Sequence, residues 1–242
     1  MAGALGTVAG GGAPVVLVHG AWHGGWAWAR CAKALEALGH PVRAPTLPGL
    51  AERKAEPAKD ITLTTHVEAV VAALEGLSGA VLVGHSYAGL VITGAAAKAA
   101  RSLRALVYLD AFVPEPHQSF FDLMKAEYSR HWRERAAKDG GGLVVPPMLS
   151  AKAMGVADAK DQAWVDGQLT PQPLGTLEEK LDFEPAALAG LERVYVRCAQ
   201  YPGFGPTAKK VQALGWPVHQ LDAGHDAMVT VPEALARLLH AV

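Results

Sequence analysis

Cysteine is nearly missing from this chain: Cys31 and Cys198 are the only two among 242 residues. Two thiols in a chain this long do not make a disulfide-built scaffold, and they fit a structural role in a reducing compartment. Long apolar runs are missing too. None approaches the roughly 20 residues that a bilayer-spanning helix needs. The opening stretch MAGALGTVAGGGAP has neither the basic start nor the apolar core of a secretory leader. A cytoplasmic location and no membrane partner are therefore expected. A charge excess is also absent: 22 Lys and Arg against 23 Asp and Glu leave a net charge of −1, with both signs mixed along the chain. No basic face is implied, so nucleic acid and anionic membrane are not expected partners.

What remains is a chain that is 50% hydrophobic and long enough to bury one sizeable core. After a flexible, small-residue N-terminal tail expected at 1–13, short β-rich runs alternate with Ala- and Leu-rich stretches. Strands are expected at 15–18, 41–44, 80–83, 103–109, 193–198 and 218–221. Helices are expected at 26–38, 64–77, 87–100, 207–214 and 233–240, with a polar loop at 50–59. The unbroken apolar run Val15–Val18 suits a strand covered on both faces, and Gly39 stands where a helix stops. The alternation predicts an α/β fold: about six mostly parallel strands flanked by helices. Residues 14–111 and 191–242 form its core. Residues 112–190 break the rhythm, with helical patches, Trp132 and Trp164, Gly140–Gly142 and no obvious core strand. They read as a helical cap over the strands' C-terminal ends, where open α/β sheets bind ligands.

Three stretches carry chemistry. In Val81-Leu82-Val83-Gly84-His85-Ser86-Tyr87-Ala88-Gly89 an apolar strand runs directly into a serine that opens a helix. A serine on such a strained turn needs small neighbours so that strand and helix can pack closely, and Ala88 stands in for the second glycine of G-x-S-x-G. The helix N-terminus favours a developing anion there. In His19-Gly20-Ala21-Trp22-His23-Gly24-Gly25 a glycine-rich loop ends the first strand, and the N–H groups of Ala21 and Tyr87 are candidate oxyanion donors. His19 and His23 lie in a turn without an intervening glutamate, so they do not form a metal motif, and His19 reads as a packed, hydrogen-bonded residue. In Leu221-Asp222-Ala223-Gly224-His225 the histidine follows the last strand, within reach of the serine as a general base.

The acid is harder to read. The loop after the penultimate strand, Ala199-Gln200-Tyr201-Pro202-Gly203-Phe204-Gly205, has no carboxylate. Asp110 ends the strand that follows the serine's helix, at the same sheet edge, and is the preferred partner of His225. Asp222 and Asp226 flank the histidine and are expected to cap or to face solvent; a serine–histidine pair without an acid stays open. Gly10–Gly12 precede a strand rather than follow one, so they form no dinucleotide fingerprint and no cofactor is implied.

The stretches VVLVHGAWHGGWAW, APTLPGLAERKA, VLVGHSYAGLVITGAA, LVYLDAFVPEPHQS and LDAGHDAMVTVPEAL span most of the chain outside 112–190. On these the chain resembles the cofactor-free α/β-hydrolases that group plant methyl esterases and hydroxynitrile lyases with bacterial carboxylesterases of the pyrethroid-hydrolase type. The bacterial esterase branch is the nearest match. The resemblance implies an α/β-hydrolase fold, carboxyl-ester hydrolysis, Ser86 as nucleophile, His225 as base, and Ala21 and Tyr87 as oxyanion donors. The chain departs from the plant members in the penultimate-strand loop, where their acid is absent. It departs from the lyases in having Gly20 and Asp226 where those carry threonine and lysine.

The expected activity is therefore that of a serine hydrolase acting through an acyl-enzyme on small to medium apolar esters, a small-molecule substrate that Trp22 and Phe112 would help to hold. A lyase or a non-catalytic ligand-binding protein on the same scaffold is the alternative, since fold alone cannot choose. A homodimer is left open.

Overall fold

A computed structural model describes residues 11–242; residues 1–10, and with them most of the 1–13 segment and Gly10 of the glycine run, lie outside the described residues. Residues 11–13 are not a free tail. Gly12 N–H donates to Gly39 O (2.9 Å), and Ala13 O accepts from the His40 ring (2.8 Å), which ties this stretch to the turn after the first helix.

In chain order the core elements are β1 (Val15–Val18), α1 (Ala29–Ala37), β2 (Val42–Arg43), α2 (Leu63–Leu74), β3 (Ala80–His85), α3 (Ala88–Ala99) and β4 (Leu103–Leu109). The segment between β4 and the next core strand holds α4 (Ala126–Asp139), β5 (Val144–Val145), α5 (Ala159–Gln168), β6 (Gln172–Pro173) and α6 (Gly175–Glu178). The core resumes with β7 (Glu192–Cys198), α7 (Gly205–Ala213), β8 (Val218–Leu221), α8 (Ala227–Thr230) and α9 (Pro232–His240). Several expected boundaries move. Residues 25–28 form a 3-10 turn rather than the start of α1, because Gly24 and Gly25 hold the chain against Ala51 and Ala44 before the helix begins. The expected helix at 64–77 starts one residue earlier, where Thr62 and Thr65 cap it reciprocally. The polar loop contains two short 3-10 turns, Ala51–Arg53 and Ala58–Asp60.

The main sheet has the order β2-β1-β3-β4-β7-β8, and all of its pairings are parallel. Its apolar strands divide their side chains between two buried layers. Val16, Val18, Leu82, Leu106, Tyr108 and Tyr195 join the layer with α2 and α3. Val15, Leu17, Val81, Val83, Val107 and Val196 join the layer with α1 and α9. Burial on both faces explains why these strands read as unbroken apolar runs rather than alternating ones. The chain leaves β1 toward β2 on one side and returns as β3 on the other. The C-terminal ends of β1 and β3 therefore flank the switch point of the sheet, where a crevice opens. His19 and Ser86 follow those two ends.

The purely helical reading of 112–190 needs one correction: β5 and β6 pair antiparallel in a sheet of their own. Two residues per strand, one of them Pro173, are too few for an alternating pattern to show in sequence.

Candidate active site

Strand β3 is buried along its whole length and delivers Ser86 with φ +56°, in the left-handed region that non-glycine residues rarely enter. The turn is held from both sides. Ser86 N–H donates to Leu109 O (3.2 Å), and Ser86 O accepts from Gly89 N–H and Phe112 N–H (both 3.1 Å). Phe112 presses so closely that a Cβ on Gly89 would sit 1.8 Å from its carbonyl oxygen. The tightest glycine of this turn is thus Gly89, one residue beyond Ala88, and Gly84 is also pressed, with a Cβ there 2.9 Å from Ala88 O. Tyr87 is buried, which pushes its phenol pKa well above the usual value. His66 Nε2 donates to Pro48 O (2.9 Å), so its Nδ1 accepts from the Tyr87 hydroxyl (3.0 Å). Burial lowers the His66 pKa to about 4, keeping the ring neutral for this role.

Asp110 leaves β4 with φ +42°, its N–H donating to Val196 O (2.7 Å). That kink aims a fully buried carboxylate across the end of β7. Oδ1 accepts from Cys198 N–H (3.2 Å), and Oδ2 lies 2.7 Å from His225 Nδ1. The loop after β7 supplies rings instead of a carboxylate. Tyr201 and Phe204 lie nearly parallel to the imidazole, with centroids 4.6 and 5.3 Å away. His225 is anchored by its own backbone: its N–H donates to Met154 O (2.7 Å) and its carbonyl accepts from His85 Nε2 (3.1 Å). Burial, then the nearby His225, drives the His85 pKa well down.

Asp222 is exposed and accepts from Gln200 (3.0 Å), as expected for a surface carboxylate. Asp226 corrects its reading. It is fully buried, makes no side-chain cap bond at α8 and lies 3.4 Å from His23 Nε2. Burial opposes charge on His23, but the Asp226 carboxylate outweighs it and raises the His23 pKa. The reason is spatial: the turn after β1 folds back against the start of α8, which sequence spacing does not reveal.

The same turn carries the other expected donor. His19 is packed as predicted: Nε2 accepts from Leu47 N–H (3.0 Å), so Nδ1 donates to Gly20 O (2.9 Å), and burial holds its pKa near about 3. Gly20 lets the turn close on the serine, since a Cβ there would lie 2.8 Å from His85 Nδ1 and 3.1 Å from Ser86 Cβ. Among the described residues, neither the Ala21 N–H nor the Tyr87 N–H has a hydrogen-bond partner.

A buried imidazole–carboxylate couple, a serine on a strained strand–helix turn, and two unengaged N–H groups thus meet at one sheet edge. The model of the alpha/beta hydrolase family matches residues 15–238. The chain belongs to that family. It is 38% identical to the carbendazim hydrolyzing esterase of Nocardioides sp., over 94% of this chain and 98% of that protein. It is 29% identical to salicylic acid-binding protein 2 of Nicotiana tabacum, covering 93% and 94% of the two chains. Among solved structures, an extracellular alpha/beta-hydrolase from a Paenibacillus species superposes with a TM-score of 0.84 at 25% identity, covering 94% of this chain and 97% of that one.

In this α/β-hydrolase the strand ends open into a cavity of about 470 Å³, whose wall includes Ser86, His225 and both residues expected to contact substrate, Trp22 and Phe112. The segment after β4 supplies Phe120, Met124, Trp132, Met148 and Met154 to the same wall. Trp164 stands apart, edge-on to Trp26 and under Arg30. Among the described residues, no lysine, arginine, aspartate or glutamate lines this cavity. Among the described residues no group of three or more His, Cys, Asp or Glu could hold a metal, and no helix is long and apolar enough to cross a membrane.

Sequence reasoning missed Tyr201 and Phe204 as neighbours of His225, and Gln172, whose Oε1 accepts from Trp22 N–H (3.1 Å) across 150 positions. Only the missing carboxylate of the 199–205 loop was a signal for the first two; for Gln172 there was none.

Proposed function

We propose that this chain is a carboxylic ester hydrolase working through an acyl-enzyme on Ser86. The observation that carries the reading is the 2.7 Å contact between Asp110 and His225, whose ring shares a cavity wall with Ser86. With Asp110 accepting at Nδ1, the neutral imidazole carries its proton there and leaves Nε2 free as a base. In acylation Nε2 takes the Ser86 proton as Oγ adds to the ester carbonyl, and the carbonyl π electrons move to oxygen. The Ala21 and Tyr87 N–H groups receive that oxyanion. Collapse expels the alcohol, protonated by the imidazolium. Water, deprotonated by the same imidazole, then releases the carboxylic acid and restores Ser86. The buried carboxylate and the rings of Tyr201 and Phe204 favour the transient imidazolium.

The mainly apolar cavity, with no lysine, arginine, aspartate or glutamate among the described residues that line it, supports neutral, small to medium apolar esters as substrates, since a charged group would lose most of its hydration there. The carbendazim hydrolyzing esterase among the relatives supports the same class of reaction. Gly20 and the buried Asp226 leave no room and no cation for the lyase pattern. The test is a graded series of p-nitrophenyl esters with a serine-directed phosphonate. Ser86→Ala should lose several orders of magnitude in turnover while keeping its fold, and the wild-type adduct should map to Ser86. Undiminished turnover in the variant, or an adduct elsewhere, refutes the assignment.

A further inference from the structure

The peptide group between Ala21 and Trp22 is gripped at both ends by buried side chains, one from the same turn and one from a distant part of the chain. Its carbonyl, Ala21 O, accepts from His23 Nδ1 (2.8 Å), and its amide, Trp22 N–H, donates to Gln172 Oε1 (3.1 Å). His23 reaches on to Asp226, the residue after the base. Gln172 comes from β6 and is fully buried. Its amide has one possible orientation. The Thr176 hydroxyl donates to Pro173 O (2.6 Å), so its oxygen accepts from Gln172 Nε2 (2.6 Å), which turns Oε1 toward Trp22. Two more bonds fasten Trp22 to the same segment: Thr170 N–H donates to Trp22 O (2.9 Å), and the indole N–H donates to Val145 O (3.2 Å). Trp22 itself has φ +66°, a conformation that a bulky residue holds only when its surroundings impose it.

We propose that Gln172 and His23 are positioning residues for the Ala21 oxyanion donor, so that the inserted segment controls transition-state stabilisation through the amide of Gln172. This rests on the ester-hydrolase reading above and deepens it. Ala21 N–H has no hydrogen-bond partner among the described residues; its direction follows from the two peptides that flank the Ala21 Cα, and the second of them is held at both ends. A donor aimed in advance at the oxyanion stabilises it without reorganising, and one free to drift does not. His19 Nδ1 donates to Gly20 O (2.9 Å), the carbonyl of the same planar peptide as the Ala21 N–H, and so holds that peptide from the Gly20 side. Gln172 and His23 hold the peptide on the other side of the Ala21 Cα.

The test compares Gln172→Leu, Thr176→Val and Thr176→Ser with the wild type on one p-nitrophenyl ester. A trifluoromethyl ketone, which adds to the serine as an oxyanion, and the matching methyl ketone serve as ligands. Complete loss of one oxyanion donor costs about 10²–10³-fold in kcat, so a misaimed donor in Gln172→Leu should cost about 10–100-fold with KM nearly unchanged. Affinity for the trifluoromethyl ketone should fall by the same factor, while that for the methyl ketone stays. Thr176→Val, which frees the Gln172 amide to turn, should shift both in the same direction by less, and Thr176→Ser should restore them. If Gln172→Leu does not fold, as judged by near-ultraviolet circular dichroism, the Thr176 pair decides. Folded variants with wild-type kcat, or a rise in KM alone, overturn the inference. A wild type that turns over no ester and takes no label at Ser86 overturns the functional reading and this inference with it.

Discussion

Replacing Asp110 with asparagine changes one buried oxygen for an NH₂ group, and the surrounding bonds dictate which one. Cys198 N–H is a fixed donor 3.2 Å from Oδ1, so the asparagine must keep its oxygen on that side. Its NH₂ then faces His225 Nδ1, at the place where Oδ2 now sits 2.7 Å away. Nδ1 becomes an acceptor, the ring proton moves to Nε2, and the imidazole can no longer take the proton of Ser86. The opposite orientation would set NH₂ against the Cys198 N–H, leaving a buried donor unpaired at a cost of about 1–3 kcal/mol. The wrong tautomer in a serine triad lowers kcat by about 10⁴, or about 5 kcal/mol in the barrier. Asp110→Asn should therefore lose close to four decades in kcat on a p-nitrophenyl ester, with KM and the near-ultraviolet circular dichroism spectrum kept. Asp222→Asn, an exposed change paired only with Gln200, should stay within about twofold. A folded Asp110→Asn enzyme within tenfold of wild type would refute the argument, because the histidine would then be held in its active tautomer by something else.

Two further outcomes follow from packing and titration. Gly89→Ala should destabilise the fold by more than the roughly 1–3 kcal/mol typical of overpacking, read as a fall in Tm, since its Cβ would overlap the Phe112 carbonyl; a wild-type Tm would contradict the close approach of α3 to that segment. His66 and His19 are held neutral with pKa values of about 4 and about 3, below the unfolded 6.5. Their contribution is therefore complete above pH 6.5 and is lost as pH falls toward those values. For His66 the loss is about 3 kcal/mol by pH 4. Urea unfolding should show stability falling across that window, with a shallower slope in His66→Gln; equal slopes would exclude His66 as a contributor.

The alternation of apolar strands and helices, the strand–serine–helix turn and the histidine after the last strand were all legible in the residues. Each depends on local pattern: a strand buried on both faces must be apolar throughout, and a strained turn admits only small neighbours. Asp110 was readable for a related reason, because a residue directly after a strand has its position along the sheet set by that strand. Tertiary structure alone decided the rest. Asp226 was misplaced because burial depends on what folds over a residue, and nothing in LDAGHDAM shows that His23 lies opposite. The β5–β6 pair escaped notice because two-residue strands carry no period. Gln172 is joined to Trp22 across 150 positions by one hydrogen bond, and a single polar residue leaves no repeating trace in sequence. Sequence by itself determined the sheet, the serine at the strand–helix turn and the histidine after the last strand, since these follow from chain order and local periodicity. Which side chains fold over Asp226, and which hold the turn after β1, depend on contacts between segments far apart in the chain, and only the folded packing brings those together.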